Sequence, residues 1–77
     1  MKVTSKPGWT EHEGSSHLVR SKYNTLDRTL DVEFKNGSVY RYHGVHPEDH
    51  KDFLDAPSQG EHFHAFIKEN HVCTQIK

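Results

Sequence analysis

Leu30-Asp31-Val32-Glu33-Phe34-Lys35-Asn36-Gly37-Ser38-Val39-Tyr40-Arg41-Tyr42 decides how this chain folds. Leu30, Val32 and Phe34 alternate with Asp31, Glu33 and Lys35, which is the period of a strand with one dry and one wet side. Asn36-Gly37 is a strong reversal signal, so the stretch reads as a hairpin. Two registers are open. A two-residue turn pairs Phe34 with Val39 and leaves Tyr40 and Tyr42 on the wet face, as an exposed stacking platform. A three-residue loop, Lys35-Asn36-Gly37 with Gly37 left-handed in a bulge, sets Tyr40 opposite Val32 and Tyr42 opposite Leu30. The second is favoured, because the core is too thin to do without two tyrosines.

That thinness follows from composition. The 77 residues make one small domain, and only 31% are hydrophobic even when tyrosine is counted. A core of this size supplies only about 3–5 kcal/mol. The single cysteine, Cys73, has no intramolecular partner, which fits a reducing compartment. Self-association or a partner is a natural source of extra stability, so a homo-oligomer stays open. Disorder is rejected, because the net charge is only −1 and the apolar residues cluster. No apolar run is long enough to span a membrane and the first residues lack a signal-peptide pattern, so a cytoplasmic location without membrane attachment is expected. The balanced charge, with a pI near 6.7, argues against a broadly basic nucleic-acid binder. Any phosphate recognition must come from a local patch.

Outward from the hairpin, residues 1–14 contain Pro7, Gly8 and Gly14 and read as a flexible arm, with Trp9 lying on the domain's own surface or anchoring a partner. Residues 15–77 form the domain. Leu18 to Tyr23 is expected as a strand and Asn24–Asp27 as a turn. Pro47 to Asp55 is expected as a helix, with Pro47 in its first turn and Glu48 and Asp49 at the positive end of the dipole. Pro57 ends it. Ser58-Gln59-Gly60-Glu61 matches a capping box, and a second helix to about Lys68 is expected to bury Phe63, Phe66 and Ile67. Residues 72–76 are a short last strand or a packed tail. The fold class is therefore α+β: a three-stranded antiparallel meander followed by two short helices on one face, with room for a C-terminal strand.

These residues resemble the KTSC domain family, small bacterial and phage proteins that also occur at the carboxyl end of some lysyl-tRNA synthetases. The resemblance is carried by Ser15-Ser16, Tyr23, Leu30-x-Val32-x-Phe34, Tyr40-Arg41-Tyr42, Val45, Ala56, Ser58-x-Gly60, Phe63 and Ile67. It covers roughly residues 15–71. His43 and His64 stand where the family pattern has an aromatic and an asparagine. The resemblance implies an α+β fold and, by association with a synthetase, RNA binding.

Four candidate sites follow from the residues. The Ser58-Gln59-Gly60 turn exposes backbone N–H groups suited to an anion, with Arg41 and Arg20 as charged partners if the hairpin lies beside it. The plainer reading is that Ser58 caps its own helix. Tyr40 and Tyr42, near Arg41, Arg20, Lys22 and Lys35, suit base stacking, or else close the core. Eight histidines, including the His46/His50 pair and His62-x-His64, raise metal binding, but a solvated polar surface explains them better and no metal or other cofactor is expected. Cys73 near His71 lacks an orienting acid in sequence, so catalysis is not expected. The expected function is a small non-enzymatic binding module for RNA, a nucleotide or another phosphorylated ligand, using Arg20, Tyr40, Arg41, Tyr42, Ser58 and Gly60. The alternative is a protein-interaction module, for example a phage product that sequesters a host protein.

Overall fold

The computed structural model describes residues 9–12 and 14–77. Its elements run β1 (Thr10–Glu11), β2 (Leu18–Asn24), β3 (Thr29–Phe34), β4 (Val39–His43), α1 (Pro47–Asp55), α2 (Gln59–His62), a π-helical continuation (Phe63–Lys68) and β5 (Cys73–Gln75). The five strands form one sheet in sequential order, and all four strand pairings are antiparallel. The expected three strands are thus the middle of a larger meander, and the tail supplies its last strand.

The hairpin takes the bulged register. Tyr40 pairs with Val32 and Tyr42 with Leu30. Gly37 has φ +93°, a left-handed conformation that side chains resist. Phe34 N–H donates to Ser38 O at 2.9 Å, closing the loop over Lys35, Asn36 and Gly37. Leu30, Val32 and Tyr42 therefore point to the side covered by the helices. There they meet Leu18, Val45, Phe53, Phe63 and Ile67, all buried. The ring of Tyr42 stands edge-on to Phe63 at 5.1 Å. Each large apolar side chain buried there stabilises the fold by about 1.5–3 kcal/mol.

Two expectations are corrected. Thr10–Glu11, within the stretch read as an arm, pairs with Arg20 and Ser21 as an edge strand. Residues 1–8 and 13 lie outside the described residues. His12 anchors this strand: it is buried, its Nδ1 lies 2.5 Å from Gln59 Oε1 and its Nε2 2.6 Å from Ser21 Oγ. Gln59 Nε2 donates to Leu54 O, so Gln59 Oε1 is the acceptor. His12 then carries its proton on Nδ1 and accepts from the Ser21 hydroxyl on Nε2. The second correction is Phe66, which is 58% exposed. The π-helical turn is wider than an α-turn, so Phe63 and Ile67, four apart, still share the buried face while the residue between swings outward.

Candidate functional site

The two sides of the sheet hold different chemistry. Arg20 and Arg41 lie on the side away from the helices, paired across strands with Glu33 and Asp31. Arg20 Nε donates to Glu33 Oε1 at 2.6 Å, and its guanidinium stacks over the Trp9 ring at 4.5 Å. Arg41 reaches Asp31 with two bonds, 2.8 and 3.1 Å. That bidentate contact holds the Arg41 guanidinium above its ordinary pKa.

Tyr40, Tyr42, Ser58 and Gly60 lie on the opposite side. Ser58 Oγ accepts from Glu61 N–H at 3.4 Å, so it caps α2. A Cβ at Gly60 would sit 3.3 Å from Ser15 Oγ, so glycine permits the close approach of α2 to the loop at residues 14–17. Ser15 Oγ itself accepts from Leu18 N–H at 3.0 Å and from His17 N–H at 3.3 Å. The expected pocket combining Arg20 and Arg41 with the Ser58–Gly60 turn does not form. Alternation along β4 sends Arg41 to the face the helices leave bare, and in β2 the bulge between Leu18 and Arg20 resets the parity so that Arg20 joins it there.

What the fold assembles instead is a cleft between the hairpin and the π-helical segment. It has a volume of about 610 Å³ and is lined by Ser16, His17, Phe34, Lys35, Asn36, Tyr40, Tyr42, His64, Lys68 and Cys73. Tyr40 is half-buried and stands edge-on to Phe34 at 5.8 Å. Tyr42 is only 3% exposed and forms the back wall. Burial, with Cys73 beside it, pushes the Tyr42 phenol up to about 12, so it stays protonated. Among the described residues the cleft holds two lysines and no carboxylate, and neither lysine has an ion-pair partner. His17 and His64 meet edge-on at 5.7 Å across its rim.

A second groove, of about 880 Å³, adjoins the cleft and shares Ser16, His17 and His64 with it. Its other lining residues include Ser15, Ser58, Gln59, Gly60, Glu61 and Glu69, with neither lysine nor arginine. The anion reading of the Ser58 turn therefore lacks a fixed cation there.

Of the expected residues, Tyr40 and Tyr42 share the cleft, Ser58 and Gly60 share the groove, and the arginines belong to neither. Sequence reasoning missed His17, His64, Lys68 and Cys73 as neighbours. Lys35 was noted near the tyrosines, and its place in the bulged loop was the one available signal. Among the described residues no cluster of three or more histidine, cysteine, aspartate or glutamate side chains is arranged to hold a metal ion.

Comparison with known proteins matches residues 14–71 to the KTSC domain model. A lysine–tRNA ligase from Nostoc punctiforme is 48% identical over 64 residues, which cover 83% of this chain but only 11% of that protein. An uncharacterized protein from Stutzerimonas stutzeri is 40% identical over 57 residues, 74% of this chain and 80% of that one. The crystal structure of a KTSC domain protein from Yersinia pestis superposes with a TM-score of 0.82 at 30% identity, covering 90% of this chain and 96% of that one.

Proposed function

The chain belongs to the KTSC domain family, and on that premise we propose that it is a small non-enzymatic module that binds single-stranded RNA or a nucleotide in the cytoplasm. The observation that carries this reading is the charge and ring content of the cleft. Lys35 and Lys68, with no ion-pair partner among the described residues, supply positive charge, while Tyr40 and Phe34 supply ring surface beside it. Phosphate attraction and base stacking are the two terms that dominate single-strand binding. The segments of lysine–tRNA ligases that this chain resembles belong to proteins named for an RNA substrate, which agrees with the reading.

The lining also provides a local reporter. Cys73 is the chain's only cysteine and borders the cleft. A bound oligonucleotide is expected to slow its alkylation by a maleimide at least severalfold at low salt, and raising the salt is expected to abolish the protection. Unchanged alkylation at saturating oligonucleotide would remove the proposal.

The protein-interaction reading keeps one supporting observation. Leu26 is 93% exposed, on a turn fixed by Asn24 Oδ1 accepting from the backbone N–H groups of Leu26 and Asp27. An apolar side chain held out on a hydrogen-bonded turn offers a contact point to a protein partner. Co-purification of a host protein that is lost on Leu26→Ser would favour that function.

A further inference from the structure

The cleft and the adjoining groove have opposite charge, and together they give the site a direction. Resting on the RNA-binding reading above, we propose that the site takes the terminal nucleotide of an RNA strand that ends in a free 3′-hydroxyl. The last phosphate lies toward Lys35 and Lys68, and the terminal ribose lies toward Glu61 and Glu69.

A nucleic-acid strand carries one negative charge at every linkage. Lys35 and Lys68 give the cleft side of the site positive charge to meet such a phosphate. Past the shared residues His17 and His64, the lining changes to carboxylate and hydroxyl groups. Glu61 and Glu69 have no ion-pair partner among the described residues, and the groove's lining contains no lysine or arginine, so no fixed cation there offsets a second phosphate. A strand running on through the groove would place like charges side by side, which is unfavourable even near a surface. A strand that stops there presents hydroxyls instead. A carboxylate accepts hydrogen bonds and has nothing to donate, so ribose hydroxyls complement it. The 3′ end of RNA offers two vicinal hydroxyls that one carboxylate can hold together, whereas the 5′- and 2′-hydroxyls of a free 5′ end lie apart on the ribose, so the 3′ end fits the acidic groups better. An acidic side chain on a ribose hydroxyl is an established recognition device in nucleotide sites. An unpaired end also leaves the base free to meet Tyr40, which a base inside a duplex is not.

The test is a titration of the full chain with a 5′-fluorescein-labelled hexaadenylate at low salt. One form ends in a 3′-hydroxyl, and the other carries a 3′-phosphate. The native chain is expected to bind the phosphorylated form about tenfold more weakly. In the doubly substituted Glu61→Gln, Glu69→Gln chain that difference is expected to shrink to about twofold or less. Both glutamates are exposed, so the variant should fold, and its circular dichroism would verify that. Equal or tighter binding of the 3′-phosphate form, or full discrimination retained in the double variant, would overturn the inference and leave RNA binding intact. Failure of the native chain to bind either form would overturn the RNA-binding reading itself.

Discussion

The bare face of the sheet and the cleft beside the π-helical segment both carry cations and aromatic rings, yet their chemistry is opposite. On the bare face each arginine is engaged. Arg20 holds Glu33 and covers Trp9, and Arg41 holds Asp31. In the cleft Lys35 and Lys68 border half-buried rings with no acidic partner among the described residues. The comparison teaches that the count of positive residues near an aromatic says little. What matters is whether cross-strand pairing has already matched the charge. A paired arginine on an open sheet stabilises the fold modestly, while the two lysines of a cleft with no carboxylate in its lining are available to a ligand.

The comparison can be tested first where the cleft meets the core. Phe63 touches Phe34, Tyr42 and Phe53 and is fully buried. Phe63→Ala is expected to destabilise the chain by about 3–5 kcal/mol, which a core of this size can hardly sustain. Denaturant unfolding followed by circular dichroism would measure it. A loss under about 1 kcal/mol would mean that the ring cluster does not organise the fold.

His12 comes next. His12→Ala removes the bonds to Gln59 and Ser21 and is expected to cost about 1–3 kcal/mol. The same residue sets a pH dependence. Burial lowers the pKa of His12, against the raising effects of its Gln59 bond and of Glu11. Burial, then repulsion from His12, lowers that of His50, whose ring stacks on Tyr23. At acid pH the unfolded chain then binds more protons than the folded one. Stability is therefore complete above the ordinary imidazole value of 6.5 and falls as the pH drops below it. Thermal melts between pH 7.5 and 5 should show this decline, and they should show less of it in the His12→Ala chain. A flat profile in the native chain would contradict the lowered pKa values of the buried His12 and the half-buried His50.

The smallest expected effect lies on the bare face. Arg41→Gln should lower stability only slightly, less than either change above, since the Arg41 side chain is 43% exposed. A much larger loss would mean that the Arg41–Asp31 pair, rather than the core, holds β3 to β4.

Much of the fold was legible because local signals agreed with tertiary demand. Asn36-Gly37, with alternation on both sides, selected the bulged hairpin once the small core required two inward tyrosines. Pro47 and Pro57 bounded α1, and Ser58 marked the start of α2. Phe66 was misread because the sequence shows helical spacing but not the local change from α to π winding. β1 was hidden by Pro7, Gly8 and Gly14, and its anchor, His12, bonds to residues 9 and 47 positions away. The cleft draws residues from 16 to 73 into one place, so no local window contains it. The misplaced arginines are instructive, because the parity that turned Tyr40 and Tyr42 toward the helices necessarily turned Arg41 away from them.

The most direct test compares RNA binding by three chains across a range of salt concentrations: native, Lys35→Gln with Lys68→Gln, and Arg20→Gln with Arg41→Gln. At least about a tenfold loss at low salt is expected for the lysine variant, with the slope of log K against log salt shallower by about 0.7 per lysine that contacts phosphate. Binding within about twofold of native is expected for the arginine variant, provided that chain remains folded. Loss of binding in the arginine variant, with the lysine variant unchanged, would place the interface on the bare face of the sheet and contradict the account.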